Sequence, residues 1–233
     1  MAKGSGKSAR RNSTRRHQGA GWWWWLIVGI LAVGVLYVGY RGSGTHNGTK
    51  NSFSGQKMVP LHEPKRPAHG FPWKYQAYAL SSGKPAHLVR GSKITVVMLM
   101  ASWCMYCAYV DRYVWPAVLH TPGLQLNIVD VSTNGGIGDP GPKQPPFTGH
   151  DNKMGTIGAG GMLDVMKTYV RQFQLTQPNV HVLVDPQGLS YWSVQTYPTL
   201  LFLNSKGQLV KRVNRAMTIP QAKSVIQQVL RQG

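Results

Sequence analysis

The feature that most constrains this chain is a pair of cysteines placed directly after a buried strand. Residues 94–100 read ITVVMLM, a continuous apolar and β-branched run that is typical of a central strand covered on both faces. Cys104 and Cys107 follow, and the 233-residue chain has no other cysteine. A structural disulfide usually closes a longer loop, because the entropic gain grows with loop length. The pair therefore indicates redox or metal chemistry.

The position of the two thiols predicts which of them reacts. A helix is predicted over residues 108–119, with Pro116 kinking it or setting its end. Cys104 would lie at the start of this helix, where free N–H groups and the helix dipole favour an anion. A thiolate in that place has a lowered pKa and is the attacking species. We therefore predict Cys104 as the nucleophile and Cys107 as the thiol that resolves a mixed disulfide.

Strand and helix patterns alternate through the rest of the domain. The C-terminal helix should begin at Thr218, because Pro220 and Gln221 complete a capping pattern and an apolar face follows. The other predicted elements are strands at 124–131 and 180–184, a helix at 162–173, and a hairpin of strands 199–203 and 209–213. This order predicts a three-layer α/β fold.

Two motifs resemble the thioredoxin superfamily. Residues 101–107, ASWCMYC, are similar to its active-site segment, in which a tryptophan precedes the first cysteine. Residues 197–199, YPT, followed by LLFLNSKGQLV, resemble its cis-proline loop, strand and hairpin. The region between the motifs is similar to extracytoplasmic TlpA-like members, and the resemblance covers roughly residues 84–232. It implies the thioredoxin fold, a central mixed sheet flanked by helices, and thiol–disulfide oxidoreductase activity.

The resemblance also implies roles for particular residues. A cis peptide bond is expected before Pro198, packed beside the cysteines, and the Tyr197 backbone should pair with an extended substrate. Trp103, Tyr197 and Pro198 are thus the expected substrate-binding residues, and the implied substrates are protein thiols or disulfides. If the protein is a reductase, a membrane electron donor is implied as a second partner. No cofactor is expected.

The motif departs from the family pattern in ways that leave the direction of electron flow open. The dipeptide between the cysteines is Met105-Tyr106, whereas the family often has Gly-Pro or another residue before proline. Cytosolic thioredoxins carry a buried aspartate where this chain has Met98. Asp111 is a candidate for proton transfer in place of the glutamate of some TlpA-like members. The alternative is that Asp111 is a solvated helix residue.

Residues 22–40 predict a transmembrane anchor. They read WWWWLIVGILAVGVLYVGY without a charge, and at about 1.5 Å per residue they would span a bilayer core, with aromatics at both ends. The arginines before this segment predict a cytoplasmic N-terminus and a domain outside the cytoplasm. We therefore expect a basic cytoplasmic tail at 1–21, a flexible linker at 41–70 and a thioredoxin-like domain at 71–233.

Residues 132–161 form a Gly- and Pro-rich insertion in the predicted domain. So long a segment without regular structure is uncommon in a compact domain. Two interpretations stay open at this point. The insertion is either a mobile surface loop, or a lid or docking loop near the redox site.

Four other classes of function compete with thiol–disulfide exchange. The formal charge of +19 raises nucleic acid as a partner, but no nucleic-acid-binding motif is present, so none is predicted. Zinc is not expected either, because a structural site needs four ligands and there is no second cysteine pair. A thioredoxin-fold copper chaperone stays open, since Met98, Met100 and Met105 could supply soft ligands. The remaining alternative is a non-catalytic binding module.

Overall fold

The computed structural model describes Leu61 and residues 70–144 and 148–233. The basic tail at 1–21, the anchor at 22–40 and almost all of the linker at 41–70 lie outside the described residues. No helix within the described ranges is long and apolar enough to cross a membrane. Leu61, in the predicted linker, packs against the main core.

In the part of the chain that the structure describes, seven strands form one mixed sheet in the order β2-β1-β5-β4-β3-β6-β7. Strands β3, β4 and β5 run parallel, while β1 and β6 pair antiparallel to β5 and β3. The strands are β1 Gln76–Ala79, β2 Pro85–His87, β3 Ile94–Met100, β4 Leu124–Asp130, β5 Val180–Val184, β6 Thr199–Asn204 and β7 Leu209–Val213. The predicted strands are confirmed, including the fully buried β3.

Within residues 70–144 and 148–233, four α-helical segments flank the sheet. They are α1 Met105–Tyr109, α2 Ala159–Phe173, α3 Gly188–Tyr191 and α4 Ile219–Leu230. The predicted capping box of α4 is confirmed, because the Thr218 side chain accepts from the Gln221 N–H and the Gln221 side chain accepts from the Thr218 N–H.

The helix predicted at 108–119 differs in detail. It begins at Met105, widens to a π-helical turn over Val110–Val114 and ends as a 3₁₀ turn over Trp115–Ala117. Pro116 has no N–H to donate to the preceding turn, so the regular α-helical hydrogen bonding cannot continue through it.

Two cores lie on opposite faces of the sheet. The larger core packs α1, α2 and α4 against side chains such as Met98, Ile128 and Phe202. The smaller one packs Tyr75, Trp192 and α3 against the other face. The mixed sheet between these layers, with the cysteine segment after its central strand, confirms the predicted α/β fold class, and its strand order is that of the thioredoxin fold.

Strands β1 and β2 and helix α3 are absent from the prediction. β1 reads QAYA and β2 reads PAH, and neither has the β-branched residues that mark a strand. They form because β1 pairs with the edge of β5 and because the Tyr75 hydroxyl donates to Asp185 Oδ2 at 2.6 Å. Phe71, Trp73 and Tyr75 pack in the smaller core, and Tyr78 of β1 packs in the larger one.

Candidate active site

Cys104 stands where β3 ends and α1 begins. It is the residue before the first helical turn, with extended backbone angles, so the N–H groups of the turn are directed towards it. Hydrogen bonding from the Cys107 thiol lowers the pKa of Cys104, and the N–H groups of Cys107 and Tyr106 add to this against the effect of burial. Burial raises the pKa of Cys107 well above its usual value. Both thiols are free in this structure. Their pKa values differ in the direction expected for a nucleophile, Cys104, and a resolving thiol, Cys107.

Tyr197 and Pro198 lie beside the nucleophile. The Tyr197–Pro198 peptide bond is cis, as predicted. The Cys104 thiol is directed at the Tyr197 carbonyl oxygen, 3.9 Å from Sγ. The Trp103 and Tyr197 rings meet edge to face with centroids 5.7 Å apart. The structure thus brings the three expected substrate-binding residues together around Cys104.

Asp111 is fully buried, which excludes the solvated alternative. It lies in the π-helical turn that follows α1, and its Oδ2 accepts a hydrogen bond of 2.5 Å from the Tyr169 hydroxyl of α2. Burial raises the pKa of Asp111 to about 8, although Tyr169 and Trp115 favour the charged form. The Asp111 charge in turn helps to raise the pKa of Cys107. A carboxyl group with a pKa of about 8 that interacts with Cys107 can accept the proton of that thiol and release it again.

A second buried carboxyl group, Asp130, was not among the predicted site residues. Its Oδ1 accepts from the Ser132 N–H at 3.0 Å, and Ser132 Oγ accepts from the Trp103 indole at 2.8 Å. Burial raises the pKa of Asp130 to about 7. A signal was present, because β4 is an apolar strand that ends in aspartate and runs parallel beside β3. Asp130 thus holds the backbone of Ser132, and the Ser132 hydroxyl in turn holds the Trp103 indole.

The insertion lies against the cysteine segment. Its described parts pair as two antiparallel runs through bridges at Asn134–Thr156 and Asp139–His150. The Gly138 N–H donates to the Ser102 carbonyl, and the Asn152 N–H donates to the Trp103 carbonyl, each at 2.9 Å. These contacts agree with a loop near the redox site and not with a detached surface loop.

An apolar groove opens between α1, the insertion and the segment before α4. Its wall includes Tyr106 and Tyr109 of α1, Pro140 of the insertion and Met217. The Tyr106 side chain is 47% exposed, although it is large and aromatic. The groove starts one residue after Cys104, so an apolar side chain close to a substrate cysteine can enter it.

We expect Gly138→Ala to open the site. A Cβ at this position would lie 2.5 Å from the Cys104 carbonyl carbon and 2.8 Å from the Met105 nitrogen, so the insertion must move away. Alkylation of Cys104 by iodoacetamide should then become faster, because the thiol is only 4% exposed in the wild type. Gly155→Ala is the matched control, since nothing lies within 4 Å of its added Cβ. Equal alkylation rates in the two variants would contradict the close packing of the insertion.

The copper interpretation gains no specific support from the geometry. Met98 and Met100 are fully buried in β3, and Met98 Sδ accepts from the Trp115 indole at 3.2 Å. Among the residues that the structure describes, no cluster of three or more His, Cys, Asp or Glu side chains could hold a metal ion. Core packing accounts for both methionines.

Known proteins resemble this chain only at the level of solved structures with low sequence identity. No family model and no curated protein matches the sequence. Similar solved structures include a secreted Mycobacterium tuberculosis disulfide oxidoreductase homologous to E. coli DsbE, at 17% identity, with 67% of this chain and 96% of that chain covered and a TM-score of 0.46.

Two further structures show the same level of similarity. A thioredoxin-like protein from Aeropyrum pernix has 14% identity, covers 66% of this chain and 89% of its own, and has a TM-score of 0.46. The thioredoxin domain of a Bacteroides vulgatus thiol-disulfide oxidoreductase has 11% identity, 66% and 92% coverage, and a TM-score of 0.44. Scores and identities at this level do not assign a family.

Proposed function

We propose that this protein is a membrane-anchored thiol–disulfide oxidoreductase that acts on protein thiols or disulfides outside the cytoplasm. The observation that carries the proposal is the Cys104–Cys107 pair at the start of α1. The pKa of Cys104 is lowered, that of Cys107 is raised, and the Tyr197 carbonyl lies 3.9 Å from Cys104 Sγ. A binding module would need neither thiol, so the pair argues against a non-catalytic role.

The reaction is a transfer of two electrons by two successive displacements. The Cys104 thiolate attacks a substrate disulfide, forming a mixed disulfide and releasing one substrate thiolate. Cys107 then gives its proton to the Asp111 carboxylate and attacks Cys104 Sγ. The Cys104–Cys107 disulfide forms, the second substrate thiolate leaves, and the substrate thiolates take up protons. The dithiol has been oxidised and the substrate disulfide reduced, and every step is reversible.

The substrate is proposed to be an extended polypeptide. Beside Cys104, the Tyr197 carbonyl can accept a hydrogen bond from a substrate backbone N–H, and the edge-to-face Trp103 ring supports that wall. The apolar groove beyond Tyr106 offers room for a neighbouring side chain. In the reductive direction, a second dithiol protein or a membrane electron donor must return the Cys104–Cys107 disulfide to the dithiol.

A single-turnover assay tests the proposed activity. The full chain in detergent, reduced and freed of excess reductant, is mixed with a disulfide-bonded peptide and quenched with acid. The proposal predicts that each protein loses two hydrogens by mass while one peptide disulfide is reduced. Tight Cu(I) binding without any exchange would instead favour the copper chaperone.

The membrane location makes a separate prediction. If residues 22–40 anchor the chain with its N-terminus in the cytoplasm, protease added to intact spheroplasts should digest the domain and spare an epitope placed on the basic tail. Lysed spheroplasts serve as the control in which both are digested. A domain that is protected until lysis would place the thiols in the cytoplasm.

A further inference from the structure

The insertion brings a carboxylate to the beginning of the cysteine helix. Asp151 Oδ1 accepts a hydrogen bond of 2.8 Å from the N–H of Met105, the first residue of α1. Met105 directly follows the nucleophile. No sequence motif pointed to this contact, because 46 residues separate Asp151 from Met105.

Backbone contacts on both sides hold Asp151 in place. His150 pairs with Asp139 through two backbone hydrogen bonds of 3.0 and 3.1 Å, and the Asn152 N–H donates to the Trp103 carbonyl at 2.9 Å. The insertion is therefore attached immediately before and immediately after Asp151. The carboxylate reaches the helix start because the backbone around it is positioned, and not through a chance surface contact.

Two anions share the N-terminus of this helix. Free N–H groups at a helix start stabilise a negative charge, and the Cys104 thiolate uses this effect. The Asp151 carboxylate accepts a hydrogen bond from one of these N–H groups, that of Met105, and its negative charge repels the Cys104 thiolate. We propose that Asp151 is a positioning residue of the redox site, which caps α1 and keeps the Cys104–Cys107 couple at a more negative reduction potential than the cysteine segment alone would have.

The charged and titratable groups around Cys104 are consistent with this role. The Asp151 charge raises the pKa of Cys104, opposing the larger lowering by the Cys107 thiol. From the other packed elements, Asp111, Tyr169 and Tyr197 each interact electrostatically with Cys104. Lys153 lies over the Trp103 ring, with Nζ 5.1 Å from its centroid. Among these groups only Asp151 accepts from the first N–H of α1.

Replacement of Asp151 by asparagine separates charge from capping. The amide oxygen can still accept from Met105, but the negative charge is gone. Loss of the charge removes its repulsion of the Cys104 thiolate, so the thiolate fraction of Cys104 below its pKa should rise about two- to fivefold. Asp151→Glu should stay close to the wild type. Asp139→Asn removes a carboxylate from the same insertion whose contacts are His150 Nδ1 at 3.6 Å and the Gly141 N–H, not α1, and the amide can still accept from Gly141, so the Cys104 pKa should stay unchanged.

Two readouts test the inference, and only one depends on the proposed function. Alkylation of Cys104 by iodoacetamide against pH, in full-chain variants with Cys107→Ser, gives the pKa without any substrate. Equilibration of the unmodified thiol pair with glutathione, at a pH above the Cys104 pKa, should shift towards the dithiol by the same factor. A fivefold shift corresponds to about 20 mV.

The outcomes are distinct. A lower Cys104 pKa in Asp151→Asn but not in Asp139→Asn supports the inference, and high salt should weaken the difference because Asp151 is exposed. An unchanged pKa with a lower thermal midpoint would overturn it and make Asp151 a structural cap only. If the pKa shifts but no variant exchanges disulfides, the inference about Asp151 stands and the proposed function fails.

Discussion

Cys104→Ser should abolish disulfide exchange, whereas Cys107→Ser should trap substrates. Without the Cys104 sulfur there is no attacking thiolate, so exchange should fall by at least about three orders of magnitude. Without Cys107 the first displacement still occurs but the resolving step is lost, so mixed disulfides through Cys104 should accumulate. Non-reducing electrophoresis and mass spectrometry of the adduct measure both results.

The double variant Cys104→Ser/Cys107→Ser is the control for trapping. This variant has no thiol and should form no adduct with substrate. An adduct on it would come from a reaction other than disulfide exchange. If both single variants kept exchange activity, the pair would not be the redox centre. Trapping by Cys104→Ser instead of Cys107→Ser would reverse the two assigned roles.

Asp111→Asn should slow the resolving step and remove the part of its pH dependence that follows the Asp111 titration. In the proposed mechanism the Asp111 carboxylate takes the Cys107 proton, and its pKa of about 8 means that the charged, competent form increases as pH rises through that value. Loss of a general base costs about a hundredfold or more. Stopped-flow measurement of the second displacement should therefore find a slower rate in Asp111→Asn, and the rate should rise only with ionisation of the Cys107 thiol, without the wild-type transition near pH 8.

Asp185→Asn is a matched control for this experiment. Asp185 also accepts from a buried tyrosine, Tyr75, and that tyrosine belongs to the core on the opposite face of the sheet. Its substitution should leave the second displacement unchanged. A similar slowing in both variants would show that loss of a buried Asp–Tyr pair, and not loss of the base, is responsible.

The same carboxyl group predicts how stability depends on pH. Folding raises the pKa of Asp111 from 3.8 to about 8, so between these values the folded protein holds a proton that the unfolded chain has lost. This bound proton stabilises the folded state. Its contribution to the free energy of unfolding is complete below pH 3.8 and is lost as pH rises through about 8. At about 1.4 kcal/mol per unit it is on the order of a few kcal/mol. Asp111→Asn should remove this dependence, whereas a purely structural defect would lower stability at every pH.

The elements with strong local signals were predictable from the sequence. β3 is a continuous apolar run, α4 carries its own capping box, and the spacing of Cys104 and Cys107 needs only the strand before it and the helix after it. The cis bond before Pro198 was expected from family resemblance and not from local physics. The strand β3, the cap of α4 and the cysteine spacing, in contrast, each depend on a few neighbouring residues.

Features that depend on distant contacts were not predictable. The sequence offers Asp111 as a candidate for proton transfer or as a solvated helix residue, and its burial and its hydrogen bond from Tyr169 of α2 decide between the two. The strands β1 and β2 have weak β propensity and form through pairing and burial. Asp151 reaches Met105 only because the insertion folds back over the cysteine segment. The partners of Asp111 and Asp151 lie 58 and 46 residues away, and β1 is held by the distant strand β5, so sequence patterns over short windows contain no information about these contacts.

A redox titration of the full chain against glutathione tests the central claim most directly. Thiol trapping followed by intact mass measures the fraction of protein with a Cys104–Cys107 disulfide at each ratio of oxidised to reduced glutathione. The account predicts one reversible two-electron transition, whose midpoint identifies a reductant near about −270 mV or an oxidant near about −120 mV. A protein whose two thiols stay reduced across the whole range, or oxidise irreversibly, would contradict it.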